Sequence, residues 1–351
     1  MAGRTLTAGA ADVAGRIGGA VLAAIRHELG ATQEAFAERV RVGLSTVQAW
    51  ESGRRPLVNA SFQDIQRLSR QLRLAGAPPS LLHVLEQGLL ADSIYADMAA
   101  GTNGQHPLAA VVPDRMLTEL LAWPLTGAPP RQLRATKAQL HVAAGARDDV
   151  AAGLRRAADT SAGDERGAMV RRQVKFLVAE NPASVEWVRQ QAAADVRQQP
   201  DVRSWSPAWA ATRSQAVTAA HAGDLDALRR FIGQGLDDEA AIAANLNYWA
   251  YWVGEHHVLW TRDADMIQPS QDWSGDRLLD SLVEGIVHAP YRELCAHALW
   301  ALLRSRRHLM ARPAAAQRIA QAVDLALNAV ELDDAARRRL EQVWYLTESA
   351  G

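Results

Sequence analysis

Cysteine and lysine are almost missing from this 351-residue chain, and each absence narrows what the protein can be. Cys295 is the single cysteine, so we expect neither a disulfide framework within the chain nor a cysteine-based zinc finger, and a reduced, cytoplasmic location is the simplest expectation. Lys137 and Lys175 are the only lysines, which leaves arginine as 36 of the 38 basic residues. Such a bias is typical of a GC-rich genome, for example that of an actinobacterium.

Long apolar runs are absent as well. We find no run of 18 or more apolar residues, and the N-terminus has no apolar core followed by a cleavage site. The sequence therefore predicts neither a membrane span nor a signal peptide.

The common catalytic and metal-binding motifs are also missing. The chain has no H-E-x-x-H, no P-loop, no G-x-G-x-x-G and no G-x-S-x-G. His288, Cys295 and His297, with His256 and His257 as further candidates, give a spacing that matches no common zinc site. We expect a protein that is not an enzyme and that needs neither a cofactor nor a metal.

The whole chain carries almost no net charge, but the charge is unevenly distributed along it. The formal net charge is −1, whereas residues 1–75 carry ten arginines and six acidic residues, a local charge of +4 that leaves −5 for the remainder. A basic N-terminal segment followed by an acidic remainder suggests that only the N-terminal segment contacts a polyanion such as DNA.

What is abundant is helical periodicity. From Arg16 onwards apolar residues recur on one stripe, and alternating β-branched runs are rare. Five short helices are predicted by about residue 90, the fourth with Phe62 and Leu68 facing inward. Further helices follow Lys137, and the Leu-Asp-Asp triplets that end at Asp238 and Asp334 are expected to cap two of them. The fold class is all-α.

The most informative stretch is ATQEAFAERVRVGLSTVQAWESGRRP, from Ala31 to Pro56. It predicts two short helices joined by a tight turn, the first capped by Thr32. The second helix would expose short hydrogen-bonding groups and end at Gly53, beside two arginines, which suits a major groove flanked by phosphates. The inward residues of the pair are Phe36, Ala37, Val40, Val47 and Trp50.

This stretch resembles the helix-turn-helix of XRE-type, lambda-repressor-like transcriptional regulators. The family pattern recurs as Gln33, Ala37-Glu38, Thr46-Val47, Trp50-Glu51 and Gly53-Arg54, and the likeness covers about residues 16–90. The resemblance implies binding to double-stranded DNA: base contacts from the head of the second helix, a contact from the glutamine that opens the first, and phosphate contacts from the trailing arginines. The implied DNA-binding residues are Gln33, Gly43, Leu44, Ser45, Thr46, Gln48, Ala49, Arg54 and Arg55.

Two residues depart from the family pattern. Arg41 stands where the family usually has glycine, and Gly43 stands where it has a serine or threonine cap. Because a left-handed arginine would cost about 1 kcal/mol, we expect the turn to be rearranged by a residue. The expected DNA face also lacks arginine, the commonest reader of guanine, and Leu44 suits a thymine methyl better.

The chain is expected to contain four segments. These are a flexible tail at 1–15, a five-helix DNA-binding domain at 16–92, a connector with one short helix at 93–136, and a large helical domain at 137–351, either a bundle or an irregular solenoid only weakly similar to TPR-like helix pairs. Three roles remain open for the last segment: homodimerisation, sensing of a small effector, and binding of a protein partner. In the last case the protein would be a scaffold whose helix-turn-helix is not its main surface.

An aromatic stretch, NLNYWAYWVGEHHVLW at 245–260, stands out because the chain has few aromatic residues. It contains no arginine or lysine, which argues against a stacking surface for single-stranded nucleic acid. A helix core or dimer interface and a ligand pocket remain as alternatives, and Tyr248, Tyr251 and Trp252 are expected to share one helix face. The residues concerned are Tyr248, Trp249, Tyr251, Trp252 and Trp260.

Overall fold

Helices form all of the regular secondary structure in the computed structural model, which describes residues 9–101, 105–197, 202–256, 258–268, 272–329 and 331–348. The predicted all-α class is confirmed, as is the division into an N-terminal helix-turn-helix region and a larger C-terminal helical region. Among the described helices, none combines the length and apolar character that a membrane crossing requires.

The chain forms two compact units, 1–191 and 192–351. The helices that begin in the first unit are α1 (Arg16–Glu28), α2 (Gln33–Val40), α3 (Leu44–Glu51), α4 (Phe62–Leu74), α5 (Pro79–Ala100), α6 (Arg115–Thr126), α7 (Ala144–Thr160), α8 (Glu165–Val178) and α9 (Val185–Arg197). Short 3-10 helices lie at Leu57–Asn59, Pro107–Ala109, Arg131–Leu133 and Pro182–Ser184.

The second unit continues with seven α-helices among the described residues. They are α10 (Pro207–His221), α11 (Asp226–Gly235), α12 (Glu239–Trp252), α13 (Asp276–His288), α14 (Arg292–Ser305), α15 (Pro313–Ala329) and α16 (Asp334–Glu348), with 3-10 turns at Asp263–Ile267 and Arg307–Ala311. The predicted caps are confirmed: Asp238 accepts a hydrogen bond from the Ala241 N–H at 2.6 Å, and Asp333 accepts one from the Ala336 N–H at 2.7 Å.

One hydrophobic core runs through the first unit. Its buried side chains extend from Ala10 to Val178, so α1–α5 share it with α6, α7 and α8. Residues 93–136, predicted to be a connector, contribute Leu108, Leu120 and Trp123 to this core, and the Tyr95 hydroxyl donates to the Leu121 carbonyl at 2.7 Å. The glycines and prolines of this segment mark turns within a packed unit.

The N-terminal segment also differs from its prediction. Residues 1–8 lie outside the described part of the chain, but residues 9–13 are helical rather than a flexible tail, with Ala10 and Val13 buried. In α4, Phe62 is 77 % exposed and does not face inward, because the side chains that bury this helix are Leu68 and Leu72.

Asp92 joins α5 to the start of α1. No side chain within α1 caps its N-terminus, and Asp92 accepts hydrogen bonds there from the N–H groups of Gly15, Ile17 and Gly18 at 2.9, 3.1 and 2.8 Å. Gly15 has φ 87°, and a Cβ at this position would lie 2.4 Å from Pro56 Cβ, so both the backbone conformation and the packing require glycine.

Because the Asp92 carboxyl is buried, it makes the free energy of unfolding depend on pH. Desolvation raises the pKa of Asp92 from 3.8 to about 7, although the three backbone donors act in the opposite direction. The unfolded chain then releases the Asp92 proton near pH 4 and the folded chain near pH 7. Between these values folding takes up a proton, so the free energy of unfolding falls as pH rises through this window.

We predict that Asp92→Asn removes this pH dependence. The free energy of unfolding of the native chain, relative to that of the variant, should fall by at least about 1 kcal/mol between pH 5 and pH 8, since one pKa unit corresponds to about 1.4 kcal/mol. Urea unfolding at the two pH values measures the difference. Asp97→Asn, a change at an exposed carboxyl on the same helix, is the control. Parallel profiles for the native chain and Asp92→Asn would contradict the prediction.

Candidate nucleic-acid interface

The helix-turn-helix is formed by α2, a three-residue turn and α3. Thr32 caps α2 by accepting a hydrogen bond from the Ala35 N–H at 3.2 Å, as predicted. The turn consists of Arg41, Val42 and Gly43, and Gly43 is the extended N-cap residue of α3.

Arg41 adopts the left-handed conformation, with φ 58° and ψ 48°. It is the only non-glycine residue with positive φ in the described part of the chain. Its N–H donates to the Glu38 carbonyl and that of Val42 to the Ala37 carbonyl, which closes the end of α2. The expectation that the turn is rearranged by a residue was wrong, because these two bonds hold the ordinary turn at a cost of about 1 kcal/mol.

Gly43 begins α3 without a side-chain cap. A Cβ built at this position would lie 3.8 Å from both Ser45 Oγ and Thr46 Oγ1, so there is room for the serine or threonine that the family usually has. Neither the backbone conformation nor the packing requires glycine at position 43.

The inward face of the helix pair is as predicted. The five expected core residues are all buried, with exposures between 0 and 7 %. They are Phe36, Ala37, Val40, Val47 and Trp50. Their burial fixes which sides of α2 and α3 remain available to a partner.

The outward face of α3 is small and polar. Ser45 and Gln48 are exposed, and Thr46 and Ala49 are half-buried between them and the core. Leu44 is half-buried too, and it packs against the core, so its apolar side chain contributes to the stability of the unit. The hydrogen-bonding groups that α3 offers are thus mainly those of Ser45 and Gln48.

Two arginines follow α3 at once. The Ser52 Oγ donates to the Gln48 carbonyl, and Gly53, with φ 74°, stops the helix by donating to the Trp50 carbonyl at 3.1 Å. A Cβ on Gly53 would lie 2.9 Å from Arg16 Cγ, so glycine is required by packing as well. Arg54 and Arg55 are exposed on the residues that come next.

The carboxylate of Glu51 joins three helices. Arg26 of α1 donates through Nε to Oε1 at 2.7 Å and through Nη2 to Oε2 at 3.0 Å, and its Nη1 reaches the Ala31 carbonyl at 3.1 Å. Gln33, at the start of α2, donates to Oε2 at 2.7 Å. The Arg26 and Glu51 side chains are only 11 and 8 % exposed.

The hydrogen bonds of Glu51 assign structural roles to Gln33 and Arg26. Gln33, predicted to contact DNA, directs its amide nitrogen at Glu51, so its first task is to position α2 against α3. The sequence did not single out Arg26. Its place directly after Ile25, in the buried part of α1, is the signal that could have identified it.

Helix α1 also approaches α3 unusually closely. A Cβ on Gly19 would lie 2.3 Å from the Trp50 carbonyl oxygen and 3.0 Å from that of Glu51. Because both neighbours are backbone atoms, no side-chain rotation could make room. Gly19 thus sets the distance at which the Arg26–Glu51 pair can form.

The aromatic stretch lies in the second unit and is mostly core. Trp249, Tyr251 and Trp260 are between 2 and 5 % exposed, and Tyr251 stacks on Trp260 with ring centroids 4.1 Å apart and 5° between the planes. Tyr248 and Trp252 are half-buried and stack on each other. Tyr248 and Trp252, which were predicted to share a helix face, lie together as expected, and Trp249 is buried with Tyr251. His257 lies outside the described residues.

Arg213 of α10 packs against the aromatic residues of α12. Its guanidinium carbon lies 4.7 Å from the Tyr248 ring centroid and 5.2 Å from that of Trp249, and its Nε donates to Asn245 Oδ1 at 2.6 Å. Whether the cluster also forms a dimer interface or a pocket stays a prediction.

Within the described residues, no group of three or more histidine, cysteine or acidic side chains is placed to hold a metal.

Comparison with known proteins agrees with this geometry. Residues 19–88 match the family model described as a helix-turn-helix domain, over about a fifth of the chain. Neither the curated proteins nor the solved structures gave a match. The first unit therefore contains a helix-turn-helix domain, which is the architecture of a DNA-binding module.

We predict that Glu51→Gln lowers the free energy of unfolding by about 3 kcal/mol, because it leaves the Arg26 guanidinium buried without a counter-charge. Urea denaturation measures this. Glu38→Gln, an exposed glutamate in the middle of α2, should change stability by no more than about 0.5 kcal/mol. If Glu51→Gln behaves like Glu38→Gln, the carboxylate does not hold the three helices together.

Proposed function

We propose that this protein is a sequence-specific transcriptional regulator of the XRE type that binds double-stranded DNA. It would act in the cytoplasm, without enzymatic activity, as a homodimer on a pseudo-palindromic operator. The observation that carries the proposal is α3: its exposed face is polar, its last residue Glu51 binds it to α1 and α2, and Arg54 and Arg55 come three and four positions after that residue.

The chemistry of this face supports contact with a duplex. The Gln48 amide can bind adenine through two hydrogen bonds in the major groove, and the Ser45 hydroxyl can donate to or accept from any base. Arg54 and Arg55 carry no sequence information but supply the positive charge that phosphates attract. Base selection would therefore fall to the helix and most of the affinity to the arginines.

We propose dimerisation, with effector sensing as an additional role, for the second unit. Operator half-sites lie about 34–36 Å apart, so two recognition helices must be held at a defined spacing by a two-fold contact. An effector that binds this unit more tightly in one arrangement of the dimer would shift the spacing and the affinity for DNA.

A second candidate function is a scaffold that binds a protein partner. It is favoured by exposed apolar side chains on the last helix pair, where Leu325 of α15 is 48 % exposed and Tyr345 of α16 is 68 % exposed. Immunoprecipitation of the tagged protein distinguishes the two candidates. Enriched genomic loci support the regulator, whereas a co-purified protein without enriched loci supports the scaffold.

We predict that Arg54→Ala combined with Arg55→Ala weakens duplex binding at every sequence. The slope of log affinity against log salt concentration should become shallower by about 2, because each lost phosphate contact contributes about 0.9. Fluorescence anisotropy with labelled duplex at several salt concentrations gives the slope.

The matched control is Arg307→Ala with Arg338→Ala, which removes the same charge from two exposed positions in the second unit. Its slope should equal that of the native chain. A native chain that binds no duplex at low salt, or an unchanged slope in the Arg54 and Arg55 variant, would rule out the proposed interface.

We predict that the full chain sediments as a dimer of twice 38.1 kDa at about 10 µM. The physical reason is that a two-fold operator needs both helices presented together. Analytical ultracentrifugation with and without duplex measures the mass. A monomer that binds DNA one to one would contradict the homodimer and leave the interface itself intact.

A further inference from the structure

An exposed stretch of the first unit, the flanking segment (residues 134–141), lies outside the helix-turn-helix domain. Leu140 and Val142 are buried in the core of the unit, and residues 138–143 form no helix. Buried and exposed residues alternate here as they do in an extended chain, so the odd-numbered side chains face solvent. These exposed side chains are Lys137, Gln139 and His141. Each of them can donate a hydrogen bond to a phosphate oxygen.

The charge of this part of the chain is positive. No acidic residue occurs from 120 to 147, whereas four basic residues do. They are Arg131, Arg134, Lys137 and Arg147. Glu119, the last acidic residue before this range, is bound by Arg131 at 3.0 Å and by Arg115 at 3.4 Å, and the charge of Arg134 acts on it as well. One carboxylate near three guanidinium groups leaves an excess of positive charge.

The side chain of Arg16 connects the flanking segment to the helix-turn-helix. Its Nη1 donates to the His141 carbonyl at 3.3 Å. Its Cγ lies 2.9 Å from the position that a Cβ on Gly53 would occupy, and Arg54 and Arg55 follow Gly53 directly. The flanking segment and the residue that precedes the two arginines therefore adjoin the same side chain.

The other end of the flanking segment lies near the C-terminal end of α1. Burial lowers the pKa of His27, and the nearby charge of Lys137 contributes to the same effect. The lengths agree, since four extended residues span about 13 Å and the helix from Arg16 to His27 spans about 16 Å. The flanking segment thus runs along α1. Asp12 and Glu28 are the exposed carboxylates of residues 9–30, so positive charge remains in excess along this helix.

We propose that the flanking segment is a second DNA-contacting element, which binds phosphates beside the base pairs that α3 reads. Arg134 and Lys137 would supply the charge, and the side chains of Gln139 and His141 would add hydrogen bonds. A duplex is favoured over an acidic protein segment because the flanking segment continues the surface of the proposed phosphate contacts. The inference rests on the proposed function and extends it beyond residues 19–88, which match the helix-turn-helix family.

The chain contains its own control for a test, because Lys137 and Lys175 are the only lysines. Lys175 lies on α8, which packs on α6 and α7. The full chain is acetylated with and without a mixed-sequence duplex of about three helical turns, and mass spectrometry gives the rate at each lysine. With duplex at about tenfold excess over its dissociation constant, about nine-tenths of the protein is bound. The rate at Lys137 should then fall at least about fivefold and that at Lys175 should change less than about 1.5-fold.

Charge variants measure the contribution of the flanking segment to affinity. Arg134→Gln with Lys137→Gln should make the slope of log affinity against log salt concentration shallower by about 2. The exchange Arg134→Lys with Lys137→Arg preserves both charges and should keep the native slope. The matched control is Arg156→Gln with Arg166→Gln, at two exposed arginines of α7 and α8, and it should keep the native slope as well.

The results separate this inference from the proposed function. A native slope after loss of the Arg134 and Lys137 charges, an equal change in the control variant, or an unchanged acetylation rate at Lys137 would each overturn the inference. The regulator itself would stand if the Arg54 and Arg55 variant still loses slope. A native chain that binds no duplex at low salt would overturn both.

Discussion

The position of the recognition helix depends on one buried carboxylate. Glu51 is the last residue of α3, and it collects hydrogen bonds from Arg26 of α1 and Gln33 of α2. Since a buried charge is costly unless it is paired, an arrangement of the helices that separates Glu51 from Arg26 is strongly disfavoured. Gly19 completes the constraint, because only a residue without a side chain lets α1 approach the Trp50 carbonyl. The exposed face of α3 is therefore positioned by contacts with both α1 and α2.

A second buried carboxylate connects these helices to the rest of the first unit. Asp92 of α5 holds the first N–H groups of α1, and α5 continues into the region where Tyr95 bonds to α6. The core is continuous from Ala10 to Val178, so the helix-turn-helix is built into a larger helical unit. The start of α1, which Asp92 caps, adjoins the Gly53–Pro56 segment, since Gly15 lies against Pro56 and Gly53 against Arg16.

The second unit is organised differently, around a helix that is buried on all sides. Every residue of α14 from 293 to 303 is buried, including the charged Glu293 and the polar His297. A helix of this kind would normally be apolar throughout, and polar groups in such a place require partners. Arg229 pairs with Glu293, whereas His297 Nδ1 has no hydrogen-bond partner within the described structure. The second unit thus combines an aromatic core at α12 with a buried histidine in α14 that leaves one ring nitrogen without a hydrogen bond.

The sequence by itself determined the all-α class, the caps at Thr32 and Asp238, and the inward faces of α2 and α3, because these follow from local spacing and short-range hydrogen bonds. Only the tertiary structure decided the rest. The partners of Glu51 and Asp92 lie up to 77 positions away in the chain, and no periodicity encodes such a distance. Arg41 adopts the left-handed conformation although it is not a glycine, so its residue type did not reveal the turn. The flanking segment reaches α1 only when the first unit folds, because Arg16 and His141, which contact each other there, are 125 positions apart in the chain.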